Sequence, residues 1–311
     1  MKNDVVITGQ TATGKTSYAL KRAKELSGEL INADSRQMYK YLDVITGKDI
    51  PKNTQFYPLG DGFTSEFALD SYRKATVGYY FLDGVKIWAY DLVDPKEHFS
   101  SYDYTAVVNF IINNAIDKNS IHIVVGGSYL YLKHLLYGFD VNVSPNWKLR
   151  KQLERKSIKQ LQNELNKLDV RIPKQLNESD RSNPRRLIRK IEIILNQSKK
   201  SNQIKHSAFN ISEFTGFHFA SREKLENAIR RRVELRLKHG AIEEVQSLRK
   251  KGYSKHDPGL QTIGYQQIIA FLEGNISKSE AIDQWITAEI QYAKRQYVFM
   301  KKDKNINWKD V

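Results

Sequence analysis

The sequence predicts an α/β fold, a parallel sheet with crossover helices, continued by a helical C-terminal part. Three observations lead there. Short apolar runs alternate with helical patterns over residues 1–140. A glycine-framed loop follows the first run directly. After residue 145 the apolar spacing becomes helical.

The apolar runs lie at Val5–Thr8, Leu30–Ala33, Val85–Leu92 and Ile121–Val125. Two end on groups suited to a site, Ala33-Asp34-Ser35 and Val125-Gly126-Gly127-Ser128. Open α/β sheets bind ligands at the carboxyl ends of their strands, so Asp34 and Ser128 are candidates to surround one ligand. Residues 51–84 fit this alternation poorly. They are rich in Gly, Tyr and Phe, as in Tyr57–Gly62 and Gly78–Gly84. The second stretch reads as one arm of a hairpin turning at Asp83-Gly84, and the segment as an insertion on the sheet. Further on, Leu161, Leu165 and Leu168 share a helical stripe, as do Leu225, Ile229, Val233 and Leu237. Gly240 and Gly252 read as helix ends. Residues 279–301 read as a last helix, with Trp285, Ala288, Tyr292 and Phe299 inward.

The loop after the first run is Gly9-Gln10-Thr11-Ala12-Thr13-Gly14-Lys15-Thr16, a complete G-x-x-x-x-G-K-[ST] motif between a strand and a helix. It makes the core P-loop NTPase-like. The glycines admit backbone conformations closed to other residues. Loop N–H groups and the helix N-terminus then face an anion. Lys15 adds a positive charge, and the Thr16 hydroxyl is a ligand for Mg2+. The motif therefore grips a polyphosphate without specifying what it is attached to.

Composition narrows the class. Fifty Lys and Arg against 35 Asp and Glu leave a net charge of +15, which fits a polyanionic partner, nucleic acid first. The absence of cysteine excludes disulfides and thiolate metal sites. No apolar run approaches the ~18 residues of a membrane span. The start, Met1–Asp4, runs straight into the first strand with no leader pattern, so a cytoplasmic protein is expected. Basic residues cluster late in the chain, at Arg185, Arg186, Arg189 and Lys190, at Arg230, Arg231, Arg232 and Arg236, and at Lys294, Arg295, Lys301 and Lys302. Such runs supply phosphate contacts, which set RNA affinity and make it salt-dependent.

Seven collinear segments resemble the tRNA dimethylallyltransferase (tRNA isopentenyltransferase) family. They are the loop Gly9–Thr16; Ala33-Asp34-Ser35-Arg36-Gln37-Met38-Tyr39; Val124–Tyr131; Asn183-Pro184-Arg185-Arg186-Leu187-Ile188-Arg189; Arg232-Val233 through Gly240 to Glu244-Val245; Gln261-Thr262-Ile263-Gly264-Tyr265; and Tyr292-Ala293-Lys294-Arg295-Gln296. The resemblance implies transfer of a dimethylallyl group from dimethylallyl diphosphate to N6 of adenosine 37 in tRNA. Gly9–Thr16 would then hold a diphosphate leaving group, with Mg2+ near Thr16. By the same resemblance Asp34 is the general base, and Lys15 and Arg232 stabilise the departing diphosphate. Thr11 and Ser128 line the site near the acceptor amine. The implied contacts to the anticodon stem-loop are Asp34, Ser35, Arg36, Gln37, Ser128, Arg185, Arg186, Leu187, Ile188, Arg189, Gln261, Gly264 and Tyr265. The family's inserted helical lobe falls at 142–182, which leaves 1–141 and 183–311 as the catalytic core. A monomer suffices for a one-site reaction.

The sequence departs from the family pattern in places. Ser128 replaces a threonine and Tyr129 a glycine; the P-H-H-L segment is absent before Asp91; residues 51–84 have no counterpart. Two other activities share the phosphate loop. An adenylate isopentenyltransferase would prenylate free AMP, ADP or ATP, with less use for Arg185–Arg189. A small-molecule kinase or RNA-binding NTPase would turn over ATP or GTP.

Overall fold

A computed structural model describes residues 3–51, 53–59, 66–117, 120–196 and 209–311. The chain forms two compact units, Met1–Tyr137 with His206–Val311, and Gly138–Lys205.

The first unit opens with β1 (Asp4–Gly9), α1 (Lys15–Leu26), β2 (Glu29–Asn32), β3 (Phe56–Pro58), β4 (Glu66–Ala68), β5 (Lys74–Thr76), β6 (Gly78–Leu82), β7 (Val85–Trp88), α2 (Ser101–Asn114), β8 (His122–Val125) and α3 (Tyr129–Tyr137). The second unit holds α4 (Trp147–Leu153), α5 (Ile158–Leu168), α6 (Ile172–Gln175), α7 (Glu178–Arg181) and α8 (Pro184–Asn196). The first unit resumes with β9 (Ile211–His218), α9 (Arg222–Lys238), α10 (Ala241–Lys250), α11 (Tyr265–Leu272), α12 (Lys278–Met300) and β10 (Asn307–Asp310).

The main sheet has the order β10-β9-β1-β8-β2-β7-β6-β3. Pairing is parallel from β10 to β7 and antiparallel from there to β3. Every residue of β1, β2 and β8 is buried, because helices cover both faces of a parallel sheet; this is why these strands read as continuous apolar runs. The registers Ile7↔Val125 and Asn32↔Val125 bring the carboxyl ends of these three strands level, so the loops after Gly9, Asn32 and Val125 meet.

The structure changes several expectations. The run Val85–Leu92 is not one strand. It stops at Trp88 because Ala89 and Asp91 take left-handed conformations, φ 65° and 54°. The expected hairpin is present: Asp83 and Gly84, φ 52° and 85°, join β6 to β7. Its aromatic content has a packing reason, since Tyr57 stacks on Tyr79 at 5.3 Å across the β3–β6 pair and Tyr79 packs on Trp88 at 4.9 Å. Residues 60–62 lie outside the described residues. Two strands, β9 and β10, occur where the reading after residue 145 was helical. In α12 the buried stripe is Trp285, Glu289, Ala293, Gln296 and Met300. Phe299, expected inward, stands one residue off that stripe and is 43% exposed.

In the second unit Leu153, Leu161 and Leu165 pack with Leu187, Ile188 and Ile191 of α8. Here α8, placed with the core on sequence grounds, joins the helices of 138–205 because its apolar stripe faces α5. Glu192, fully buried, accepts hydrogen bonds from Arg150 Nε (2.8 Å) and Nη2 (2.6 Å), Arg189 Nη1 (2.5 Å) and the Asn146 amide (2.6 Å). Among the described residues no helix is long and apolar enough to cross a membrane.

Candidate active site

The loops at the ends of β1, β2 and β8 enclose a cavity of about 100 Å³ in the first unit. Thr11–Ser17 form one wall; Asn32, Asp34 and Gln37 a second; Gly126 and Gly127 a third; and Arg232, Gly47, Asp49, Tyr90 and Gln296 complete it.

The phosphate loop takes the conformation its glycines permit. Gly9 has φ 136°, and a Cβ there would stand 2.2 Å from the Phe217 carbonyl oxygen of the neighbouring strand. Gly14, φ 77°, precedes α1 with no side-chain cap, so the first-turn N–H groups of the helix remain available to an anion. The loop is held from behind. Gln10 Nε2 donates to the Ala293 carbonyl at 3.1 Å, and the Gln10 side-chain oxygen accepts the Phe219 amide at 2.9 Å. Thr13 Oγ1 donates to the Gln10 carbonyl at 2.8 Å. Gln296 accepts the Thr11 amide and donates to the Gly127 carbonyl, both at 2.9 Å, so it joins two walls of the cavity.

Two cations converge on this cavity. Lys15 Nζ donates to the Gln10 carbonyl at 2.5 Å. Burial and then the Arg232 guanidinium push its ammonium down to about 7, with Asp34 opposing. Arg232 Nη2 reaches the Thr46 carbonyl at 3.5 Å, and its buried Nε has no acceptor among the described residues. Arg236, one turn further on α9, is buried against Glu289 at 2.8 Å, and Trp285 Nε1 donates to the same carboxylate. Burial and Arg232 lower the Arg236 guanidinium to about 10.

Asp34 is oriented by its own turn. Its Oδ1 accepts the Arg36 amide at 2.9 Å, and its amide donates to Asn32 Oδ1 at 3.1 Å. Among the described residues no hydrogen bond takes up Oδ2. The Ser35 amide donates to Ser128 Oγ at 2.9 Å, and that hydroxyl donates to Ser35 Oγ at 3.0 Å. Ser128 is thus buried as a brace for the Asp34 turn, rather than part of the cavity wall.

Lys15, Asp34, Arg232, Gln37 and Thr11–Thr16 all line this cavity, as the sequence reading requires. Gly9 and Gln10 support the loop from beneath. Arg36 is half-buried, with Nη1 3.5 Å from the Pro258 carbonyl. The other expected RNA contacts differ in exposure. Tyr265 is fully buried with its hydroxyl 2.5 Å from Glu244, and Gly264 is buried beside Trp285, whereas Gln261 is exposed. Leu187 and Ile188 pack in the second unit's core. Arg189 is held by Glu192 and by the Val143 carbonyl at 2.8 Å. Arg186 pairs with Asp180 at 2.5 Å, and Arg185 is exposed. Asn32, Asp49, Tyr90 and Gln296 had no assigned place in the site; Gln296 carried a signal as the last residue of Tyr292–Gln296, and Asn32 as a neighbour of the Asp34 segment.

Comparison with known proteins identifies the family. The IPP transferase family model matches residues 79–303. The chain is 32% identical to a tRNA dimethylallyltransferase of Acetivibrio thermocellus, over 99% of this chain and 91% of that protein. It is 30% identical to the one from Clostridioides difficile, over 99% and 91%. Among solved structures it resembles the full-length tRNA isopentenylpyrophosphate transferase of Bacillus halodurans, with 27% identity and a TM-score of 0.65, covering 100% of this chain and 90% of that one. A eukaryotic dimethylallyltransferase acting on tRNA shares the fold, with 21% identity and a TM-score of 0.72 over 100% and 74%. With a match over well over half its length and relatives aligned end to end, the chain belongs to the IPP transferase family.

Proposed function

We propose that this protein transfers a dimethylallyl group from dimethylallyl diphosphate to N6 of adenosine 37 in tRNA. The observation that carries the reading is the convergence of Lys15, the Arg232 guanidinium and uncapped α1 amides on one cavity that also holds the Asp34 carboxylate. The Arg232 guanidinium pushes the buried Lys15 ammonium down unless an anion lies between them. A diphosphate is such an anion, and the transferred carbon then lies on the Asp34 side.

In the reaction the C1–O bond of the donor breaks and its electron pair leaves with the diphosphate. The N6 lone pair forms the new bond to C1, and the N6 proton passes to Asp34. Adenine N6 is a weak nucleophile because its lone pair is delocalised, so removal of that proton as the bond forms lowers the barrier. Lys15, the loop amides and Arg232 meet the charge that grows on the leaving group. The base reaches this cavity only after extrusion from the anticodon loop stack.

Mg2+ fits the donor set. Thr16 and Asp49 offer hard oxygen ligands, and no group of three or more His, Cys, Asp or Glu that could hold a metal occurs among the described residues. An ion that keeps water and phosphate oxygens as most of its shell suits so few protein ligands. It would neutralise charge on the diphosphate. We read the protein as a cytoplasmic monomer, as a one-site reaction on tRNA requires no second chain.

Asp34→Asn tests the reading. We expect turnover to fall about 10²–10⁴-fold, the range for a lost general base, with protection by a non-reactive donor analogue kept. Wild-type activity in the variant would remove Asp34 as the base. Labelled donor entering AMP but not tRNA would instead assign an adenylate prenyltransferase.

A further inference from the structure

We propose that Glu244, which lies outside the cavity, is a positioning residue for the diphosphate: it sets the Asp43–Gly47 turn on which Arg232 rests. The proposal rests on the donor reading above. Glu244 Oε2 accepts the Asp43 amide at 2.8 Å and the Val44 amide at 2.6 Å. Its Oε1 accepts the Ile45 amide at 3.2 Å and the Tyr265 hydroxyl at 2.5 Å. Three consecutive amides on one carboxylate are the free donors at the start of a helical turn, capped here from about 200 residues away. Below the cap the turn closes, with the Gly47 amide donating to the Asp43 carbonyl at 3.0 Å.

The far end of this turn is a wall of the donor cavity. Gly47 lines it, and Gln37 Nε2 donates to the Gly47 carbonyl at 2.7 Å. Arg232 Nη2 lies 3.5 Å from the Thr46 carbonyl. A Cβ on Gly47 would stand 2.7 Å from Nη2 of both Arg232 and Arg236, so the turn's backbone is the surface these guanidinia lie against. Gly47 has φ 66°, a conformation that an unanchored turn with any other residue would abandon. Arg232 stands on α9 and Glu244 on α10, successive helices joined at Gly240. The same helical pair thus carries the guanidinium and fixes its rest. Loss of the Glu244 carboxylate frees the turn's first amides, and Arg232 loses a defined place over the diphosphate.

The test is steady-state kinetics with saturating anticodon stem-loop, together with thermal protection by dimethylallyl thiolodiphosphate. Glu244→Ala is expected to raise the donor KM about tenfold, with kcat within about threefold and stem-loop affinity unchanged. Glu244→Gln keeps a carbonyl acceptor for part of the turn and is expected to recover most of the KM. If Glu244→Ala does not fold, Tyr265→Phe removes a single hydrogen bond from Oε1, and a KM rise of about threefold is expected. Folded variants with a wild-type donor KM would overturn the proposal, as would a loss confined to kcat. If the analogue fails to protect the wild-type protein, the donor reading falls, and this proposal with it.

Discussion

Lys15 shows how a single side chain can be held in a state that favours ligand over stability. Its ammonium is pushed down to about 7 by burial and by Arg232, against an ordinary 10.5. The unfolded chain therefore holds this proton between pH 7 and 10.5 while the folded chain has released it. Stability rises with pH through that window, and the cost is fully present below it. Lys15→Met removes the cost. We expect the variant to have a higher urea midpoint than the wild type at pH 6.5, with the difference shrinking toward pH 10. Thermal protection by the donor analogue should be lost at every pH. An unchanged midpoint at pH 6.5 would show that the lysine is not under this stress. A bound diphosphate opposes both causes of the depression, so donor binding takes up a proton above neutral pH and weakens as pH rises.

Among the elements, α8 has the clearest internal logic. Its apolar residues bury Leu187, Ile188 and Ile191, while Glu192 on the same side collects Arg150 and Arg189. Glu192→Ala leaves two arginines and the Asn146 amide without their acceptor. Because both arginines are partly exposed, water recovers some of the loss, and we expect destabilisation of about 2 kcal/mol rather than the larger cost of a fully buried pair. Limited proteolysis should then cut first within 138–205, with donor-analogue protection retained; cleavage first in the α/β unit would contradict this. The arrangement also explains what could be read from the sequence. β1, β2 and β8 were legible because strands buried on both faces carry a continuous apolar stretch, as in Val5-Val6-Ile7, Leu30-Ile31 and Ile123-Val124-Val125. α5 and α9 were legible because one stripe faces a core. β9 was not, since Ile211-Ser212-Glu213-Phe214-Thr215-Gly216 mixes polar and apolar residues that only its place between β1 and β10 explains. Of the site, the loop, Asp34 and Arg232 were legible through their motifs. Asp49 and Tyr90 were not, because they reach the cavity through left-handed turns at Asp49 and Ala89 that spacing does not signal. In the motif Gln261–Tyr265 the tyrosine holds Glu244, a structural bond that a motif does not distinguish from an RNA contact.

At the scale of the whole molecule, the net charge of +15 bears on the polyanionic acceptor. The structure separates cations already occupied within the fold from those that face solvent. Arg236, Arg189 and Lys48 are tied to Glu289, Glu192, and to Asp43 and Asp91. Their charges are locally compensated and add little to a long-range field. Arg185, Lys190, Arg230, Arg231 and Arg295 are exposed. Phosphate contacts release counterions, so each one removed lowers the slope of log affinity against log salt by about 0.7–0.9. Arg185→Ala should therefore weaken tRNA binding at low salt and flatten the slope by about that amount. Arg186→Ala should do less, because Asp180 already holds that guanidinium at 2.5 Å and RNA must compete for it. Arg189→Ala should act differently again, lowering stability by exposing Glu192 to a lost partner while leaving the salt slope near that of the wild type. Filter binding of an anticodon stem-loop across a salt series, beside urea unfolding of the same three variants, separates these outcomes. Equal slopes for Arg185→Ala and the wild type would place the RNA on another face of the molecule. A flattened slope for Arg189→Ala would mean that the RNA displaces Glu192, making the ion pair part of the binding equilibrium.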